Sequence, residues 1–115
     1  MKARNLILRL TDIIEAIERI RGILGDTSLE AFEADWQKQW LVERGVEIIS
    51  EASRHLTNEM KARHPSIPWQ KVAGNVLRHD YEDIAAPIMW KLAQVDLQAL
   101  EKVCRAELAS LASND

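Results

Sequence analysis

Apolar residues recur along this chain at three- and four-residue spacing far more often than at alternate positions. Leu6, Leu10, Ile13, Ile17, Ile20 and Leu24 form one such series, and Ile14 and Ile23 widen it. That period places them on one stripe of a helix. Asn5 is a candidate cap for its start, and Gly25-Asp26-Thr27-Ser28 ends it. A short second helix is predicted from Ser28, with Glu30 in its first turn and Leu29 and Phe32 free to pack. A long third helix is predicted from about Asp35 to Met60: Val42, Val46, Ile49, Leu56 and Met60 share a face, and no proline interrupts it. Trp36 and Trp40 pair at i, i+4 but lie to one side of that stripe, which suits an interface. From Lys61 to Pro68 the chain reads as a loop, because Pro65 and Pro68 fix the backbone. Trp69 to Val72 reads as one or two helical turns, with Pro68 at a position that a helix start tolerates. Beyond Tyr81, Ile84, Ile88, Met89 and Leu92 mark another helix. Asp96 resembles an N-cap for a last helix striped by Leu97, Leu100, Cys104, Leu108 and Leu111. Four principal helices joined by short connections predict an all-α, antiparallel four- to five-helix bundle over a single domain, residues 1–115.

Composition agrees with this. Among 115 residues, 47% are apolar and only four are glycine, and strand-like alternation is scarce. A single cysteine, Cys104, permits no internal disulfide and no cysteine metal cluster, which fits a reducing cytoplasm. On the last helix it reads as a small buried apolar residue rather than a nucleophile. No segment reaches the roughly 18 uninterrupted apolar residues of a membrane span, and no separate signal core precedes the first helix. A soluble cytoplasmic protein without membrane contact is expected.

Charge changes the picture more. The net charge is −3, which argues against general DNA coating. Residues 25–60 carry three basic and eight acidic groups, and residues 80–115 three and seven. Between them, residues 61–79 hold Lys61, Arg63, Lys71, Arg78, His64 and His79 with no acid. Such a local field can attract phosphate. On charge alone the plainer reading is a solvated loop whose lysines serve solubility.

The stretch Gly74-Asn75-Val76-Leu77-Arg78-His79-Asp80-Tyr81 lies at its end. In helical geometry Asn75, Arg78 and His79 share a face. Tyr81 joins them only if the chain leaves that geometry near Asp80, itself a plausible N-cap. His79 has the one side chain here with an ordinary pKa near neutrality, so it suits general acid–base work. Arg78 can hold a phosphate, and as a neighbouring cation it favours the neutral imidazole that a base needs. Asn75 can orient the ring or a ribose hydroxyl. These are parts for cleaving RNA through its own 2′-hydroxyl. A polar helix junction with a surface histidine is the plainer alternative. Glu47, Glu51 and His55 also fall at helical spacing, but a dinuclear metal bundle needs paired Glu-x-x-His motifs that this chain lacks. A salt-bridged surface with Arg44 and Arg54 is the expected reading there. No metal or cofactor is expected.

RLTDIIEAIERI (Arg9 to Ile20), VERGVEIISEAS (Val42 to Ser53), IPWQKVAGNVLRHDY (Ile67 to Tyr81) and IMWKL (Ile88 to Leu92) together resemble the HepT-like toxins of the HEPN superfamily. The resemblance implies a dimerising α-helical bundle and a metal-independent endoribonuclease. It also implies a partner, an MntA-type minimal nucleotidyltransferase acting as antitoxin. In that family an Arg-polar stretch followed by His-x-Tyr carries function: the arginine and histidine cut RNA, and the antitoxin attaches AMP to the tyrosine. Here His79-Asp80-Tyr81 matches His-x-Tyr and Asn75 matches the polar residue, but Gly74 stands where the arginine is usual. The expected site is therefore His79 as acid–base, Arg78 as phosphate clamp from a different backbone position, Asn75 as orienting group and Tyr81 as modification site. Lys71, Arg63 and Lys61 would widen the electropositive approach for RNA. The alternative is a catalytically inactive subunit that binds nucleotide or partner only.

Overall fold

The computed structural model describes residues 2–74, 90–91 and 96–113 of the chain. Among these, six helices form an all-α bundle: α1 (Lys2–Leu24), α2 (Leu29–Glu33), α3 (Trp36–Arg54), α4 (Asn58–Ala62), α5 (Trp69–Gly74) and α6 (Leu97–Ser113).

Three long helices, α1, α3 and α6, carry the core. Leu10, Ile13, Ile17, Ile20 and Leu24 of α1 meet Val42, Val46 and Ile49 of α3 and Leu97, Leu100 and Cys104 of α6 in one apolar cluster. The sequence stripes predicted these faces. Close approach of α1 and α3 depends on Gly45. A β-carbon there would lie 2.7 Å from Ile20 Cγ1, so a side chain at this point would press into the buried isoleucine. Arg21 pairs with Glu101, and Arg105 with Glu18 at 2.9 Å. The sequence index falls along α1 as it rises along α6, so these two helices run antiparallel.

The ends of the helices follow local chemistry. Gly25 adopts φ +45° and closes α1, its N–H donating to the Arg21 carbonyl at 2.8 Å. Ser28 caps α2 as predicted, its Oγ accepting from Ala31 N at 3.1 Å, and Phe32 is fully buried. Asp35 caps α3 in the same way through Lys38 N.

Three boundaries differ from the pattern reading. Asn5 lies inside α1 rather than capping it, because the helix begins three residues earlier. The predicted long helix to Met60 stops at Arg54. Thr57 takes an extended backbone and its hydroxyl accepts from Met60 N, so a new short helix starts there. Met60 is still fully buried, which is why the apolar spacing alone did not expose the break. Asp96 is itself π-helical and leads directly into α6, so it stands inside the helical run rather than before it as a cap. The predicted helix bearing Ile84, Ile88, Met89 and Leu92 falls outside the described residues; Trp90 and Lys91 are helical, and the Trp90 indole donates to the Thr27 carbonyl at 3.3 Å.

Candidate functional site

α4 is five residues long, below the length at which an isolated helix holds itself, and α5 is described over Trp69–Gly74. Their place is set by contacts with α3 and α6. The two prolines of the connection shape its turns, with Trp69 N donating to the Ile67 carbonyl at 2.8 Å and Val72 N to the Pro68 carbonyl at 3.0 Å. The Trp69 indole N–H reaches back to two carbonyls, Lys61 at 3.1 Å and His64 at 3.0 Å. Ile67 is buried, and Trp69 and Val72 pack partly against the core.

α5 is tied to α3. Ser50 Oγ donates to the Val72 carbonyl at 2.8 Å, and Arg54 Nε donates to the Ala73 carbonyl at 3.0 Å. Arg54 Nη1 is also held by Glu51 at 2.7 Å, and Glu51 Oε1 meets His55 Nε2 at 3.2 Å. Those contacts hold the Glu51 carboxyl below its usual range, the His55 hydrogen bond being the largest cause. The expected salt-bridged surface is present, since Arg44 also meets Glu47 at 3.4 Å. Among the described residues no cluster of histidine, cysteine and carboxylate side chains could hold a metal ion.

At the other end of this limb, Arg63 and His64 converge on Glu107 of α6. Arg63 grips the carboxylate with two N–H groups, Nε at 3.2 Å and Nη2 at 2.8 Å, and His64 Nε2 lies 2.6 Å from Oε2. Glu107 is buried, and the Arg63 hydrogen bonds, followed by His64, hold its carboxyl below the usual range against the opposing effect of burial. Arg63 also approaches Glu59 at 3.6 Å. Two carboxylates therefore balance much of the charge that the sequence places at Arg63. Lys71 is exposed and Lys61 half-buried.

Asn75, Arg78, His79 and Tyr81 lie outside the described residues. α5 is described as far as Gly74, and its Val72 and Ala73 carbonyls are held by α3. Three polar residues that hold α4 and α5 in place escaped the sequence reading. Glu107 falls three positions after Cys104 on the buried stripe of α6, and a carboxylate on an apolar face needs a cation. Ser50 follows Val46 by four on the buried face of α3. Those offsets were the available signals; Arg54 showed none beyond its ion-pair spacing.

Cys104 is fully buried beside Glu107 and Glu101. Burial first, and then the two acids, push its thiol up to about 12, so it stays neutral and apolar in character.

The all-α bundle is of the HEPN-like class. Residues 13–107 match the family model described as Ribonuclease HepT-like. A protein named "Probable ribonuclease HepT" from Thermococcus cleftensis is 37% identical over 94 residues, covering 80% of this chain and 86% of that protein. An RNase candidate of Methanocaldococcus jannaschii is 30% identical over 104 residues, with 89% and 95% covered. Another from Caldanaerobacter subterraneus subsp. tengcongensis is 34% identical over 88 residues, 75% of each chain. No solved structure matches significantly. The chain belongs to the HepT-like ribonuclease family. No helix among the described residues is long and apolar enough to cross a membrane.

Proposed function

We propose that this protein is a metal-independent endoribonuclease that acts as the toxin of a toxin–antitoxin pair. The observation that carries the reading is the family match over residues 13–107, which spans Asn75 to Tyr81 in full. In the reaction, the ribose 2′-oxygen forms a bond to the neighbouring phosphorus and the bond to the 5′-oxygen breaks. The products are a 2′,3′-cyclic phosphate and a free 5′-hydroxyl. His79 takes the 2′-hydroxyl proton or supplies one to the leaving 5′-oxygen. Arg78 neutralises charge growing on the non-bridging oxygens. Asn75 orients the imidazole or the ribose. Lys71, Lys61 and the outer face of Arg63 lengthen the cationic approach for RNA.

Regulation falls to Tyr81. An MntA-type nucleotidyltransferase antitoxin would transfer AMP from ATP to its phenolic oxygen with release of pyrophosphate, adding negative charge two residues from His79. The protein works as a cytoplasmic homodimer, in which two copies of the stretch line one cleft.

Cleavage of a labelled single-stranded RNA with and without chelator tests the chemistry. Wild type is expected to cut equally in both, and His79→Ala to lose cleavage and growth inhibition. Unchanged toxicity of His79→Ala would sink the nuclease reading. Mass spectrometry after co-expression with the nucleotidyltransferase is expected to show an AMP adduct that Tyr81→Phe abolishes. A second reading has one observation in its favour: Gly74 stands where the family usually has arginine. On that reading the chain is an inactive subunit of a nucleotidyltransferase complex, and wild type cuts nothing while still binding its partner.

A further inference from the structure

α3 carries a stripe that the rest of the bundle leaves open. Trp36, Trp40, Glu43, Glu47 and Glu51 follow one another at three- and four-residue spacing on its outer side, while Val42, Gly45, Val46 and Ile49 turn inward. Trp36 and Trp40 meet edge to face with centroids 5.1 Å apart, yet stay 60% and 67% exposed. An edge-to-face contact occupies one of the two rings' four faces, so the pair itself leaves three uncovered. The mutual contact also holds the rings in place, which lowers the entropic cost of binding onto them. The carboxylates beside them are unevenly balanced. Glu47 has Arg44 at 3.4 Å, and Glu51 has Arg54 and His55. Half-buried Glu43, one turn from both Trp40 and Glu47, has no hydrogen-bond or ion-pair partner among the described residues. Burial, and then the like charge of Glu47, push its carboxyl above the usual range. Lys38 offers it nothing, because it lies on the opposite side of α3 with its ammonium on the Thr27 hydroxyl at 2.8 Å.

We propose that this face of α3 is a docking site for an arginine-bearing basic segment of a partner protein. Guanidinium planes stack on the open indole faces, and the charge they bring meets Glu43 and Glu47. From Trp36 to Glu47 the stripe is about 16 Å long, the length of three turns of a partner helix. RNA suits the face less well, since residues 26–51 carry seven acidic groups against two basic ones and repel phosphate. A second copy of the chain is disfavoured too: a twofold contact here would set Glu43 and Glu47 against their own counterparts. Cleavage by His79 plays no part in this binding.

The test is fluorescence anisotropy of a labelled helical peptide that carries four arginines over three turns, titrated with the full chain at low and moderate salt. A lysine version of the peptide and a labelled single-stranded RNA are titrated alongside, and every variant is melted and run on size-exclusion chromatography. The arginine peptide is expected to bind saturably at one per chain, more tightly than the lysine peptide or the RNA, and less tightly as salt rises. Trp36→Ser and Trp40→Ser should each weaken it by roughly 2- to 30-fold, the reach of one cation–π contact. Glu43→Gln should weaken it by about two- to fivefold and flatten the salt dependence. Arg44→Gln should tighten it, because Glu47 then loses its own cation and is left to the peptide. Absence of saturable binding to the arginine peptide would overturn the proposal, as would wild-type affinity in folded Trp36→Ser and Trp40→Ser. Tighter binding of the RNA than of the arginine peptide would overturn it in favour of a nucleic-acid surface. A wild-type dimer that Trp40→Ser dissociates would overturn it in favour of a second copy.

Discussion

The three-helix core and the α4–α5 limb are held by different forces. Between α1, α3 and α6 the contacts are apolar and continuous, from Leu10 through Ile20 on one side to Val46 and Cys104 on the others. The limb from Asn58 to Gly74 buries only Met60 and Ile67, and polar groups complete its attachment, Arg63 and His64 on Glu107 and Ser50 and Arg54 on α5, while the Trp69 indole ties the limb to itself through two carbonyls. Burial of apolar area is strong but indifferent to angle, whereas a hydrogen bond is weaker and specifies direction. The core is thus held by burial, and the limb's orientation on it is set by polar contacts.

That contrast predicts an order of effects. The largest belongs to the core. Phe32→Ala removes a fully buried ring and should cost about 3–5 kcal/mol in a urea melt, enough to threaten the fold. Next comes the carboxylate joining limb to core. Glu107→Gln leaves Arg63 and His64 facing a neutral amide and should cost about 1–3 kcal/mol at pH 7. The same residue fixes a pH dependence. Its carboxyl is held below the ordinary value of 4.5, so the folded state binds its proton less readily than the unfolded chain. Its stabilisation is complete above that value and is lost as pH falls through the lowered folded-state pKa. Melts of wild type and Glu107→Gln should therefore converge in that acid range and stay apart from pH 6 to 8. A gap independent of pH would show that shape, not charge, holds the limb.

The smallest effects on stability belong to the surface. Arg44→Ala removes an exposed pair and should change unfolding by no more than about 0.5 kcal/mol. Trp36 and Trp40 stack edge to face with centroids 5.1 Å apart while remaining 60% and 67% exposed. Trp40→Ser should barely move the melting temperature. Should these rings belong to the proposed homodimer interface, the variant will elute later than wild type in size-exclusion chromatography.

The same division explains what was legible in the sequence. Apolar periodicity found α1, α3 and α6 and their inward faces, because burial leaves a spaced imprint along the chain. It ran α3 on to Met60 because a buried methionine looks alike whether its helix is continuous or restarted by Thr57. The basic stretch from Lys61 to Arg78 read as a free positive field because Glu107, which binds Arg63 and His64, is more than forty residues away. Contacts between distant side chains and main-chain oxygens, such as Arg54 with Ala73, leave no such imprint. Asn75, Arg78, His79 and Tyr81 were singled out by side-chain chemistry, helical spacing and the family resemblance, and they lie outside the described residues.

The acceptors for Ser50 and Arg54 are carbonyl oxygens, and every amino acid carries one. Val72 and Ala73 could be exchanged for many other residues without disturbing either bond, so long as the backbone keeps its path. Diversity in this segment is thus cheap, while the two donors are constrained. A chain built this way can vary the side chains at positions 72 and 73 and keep the tie between α5 and α3.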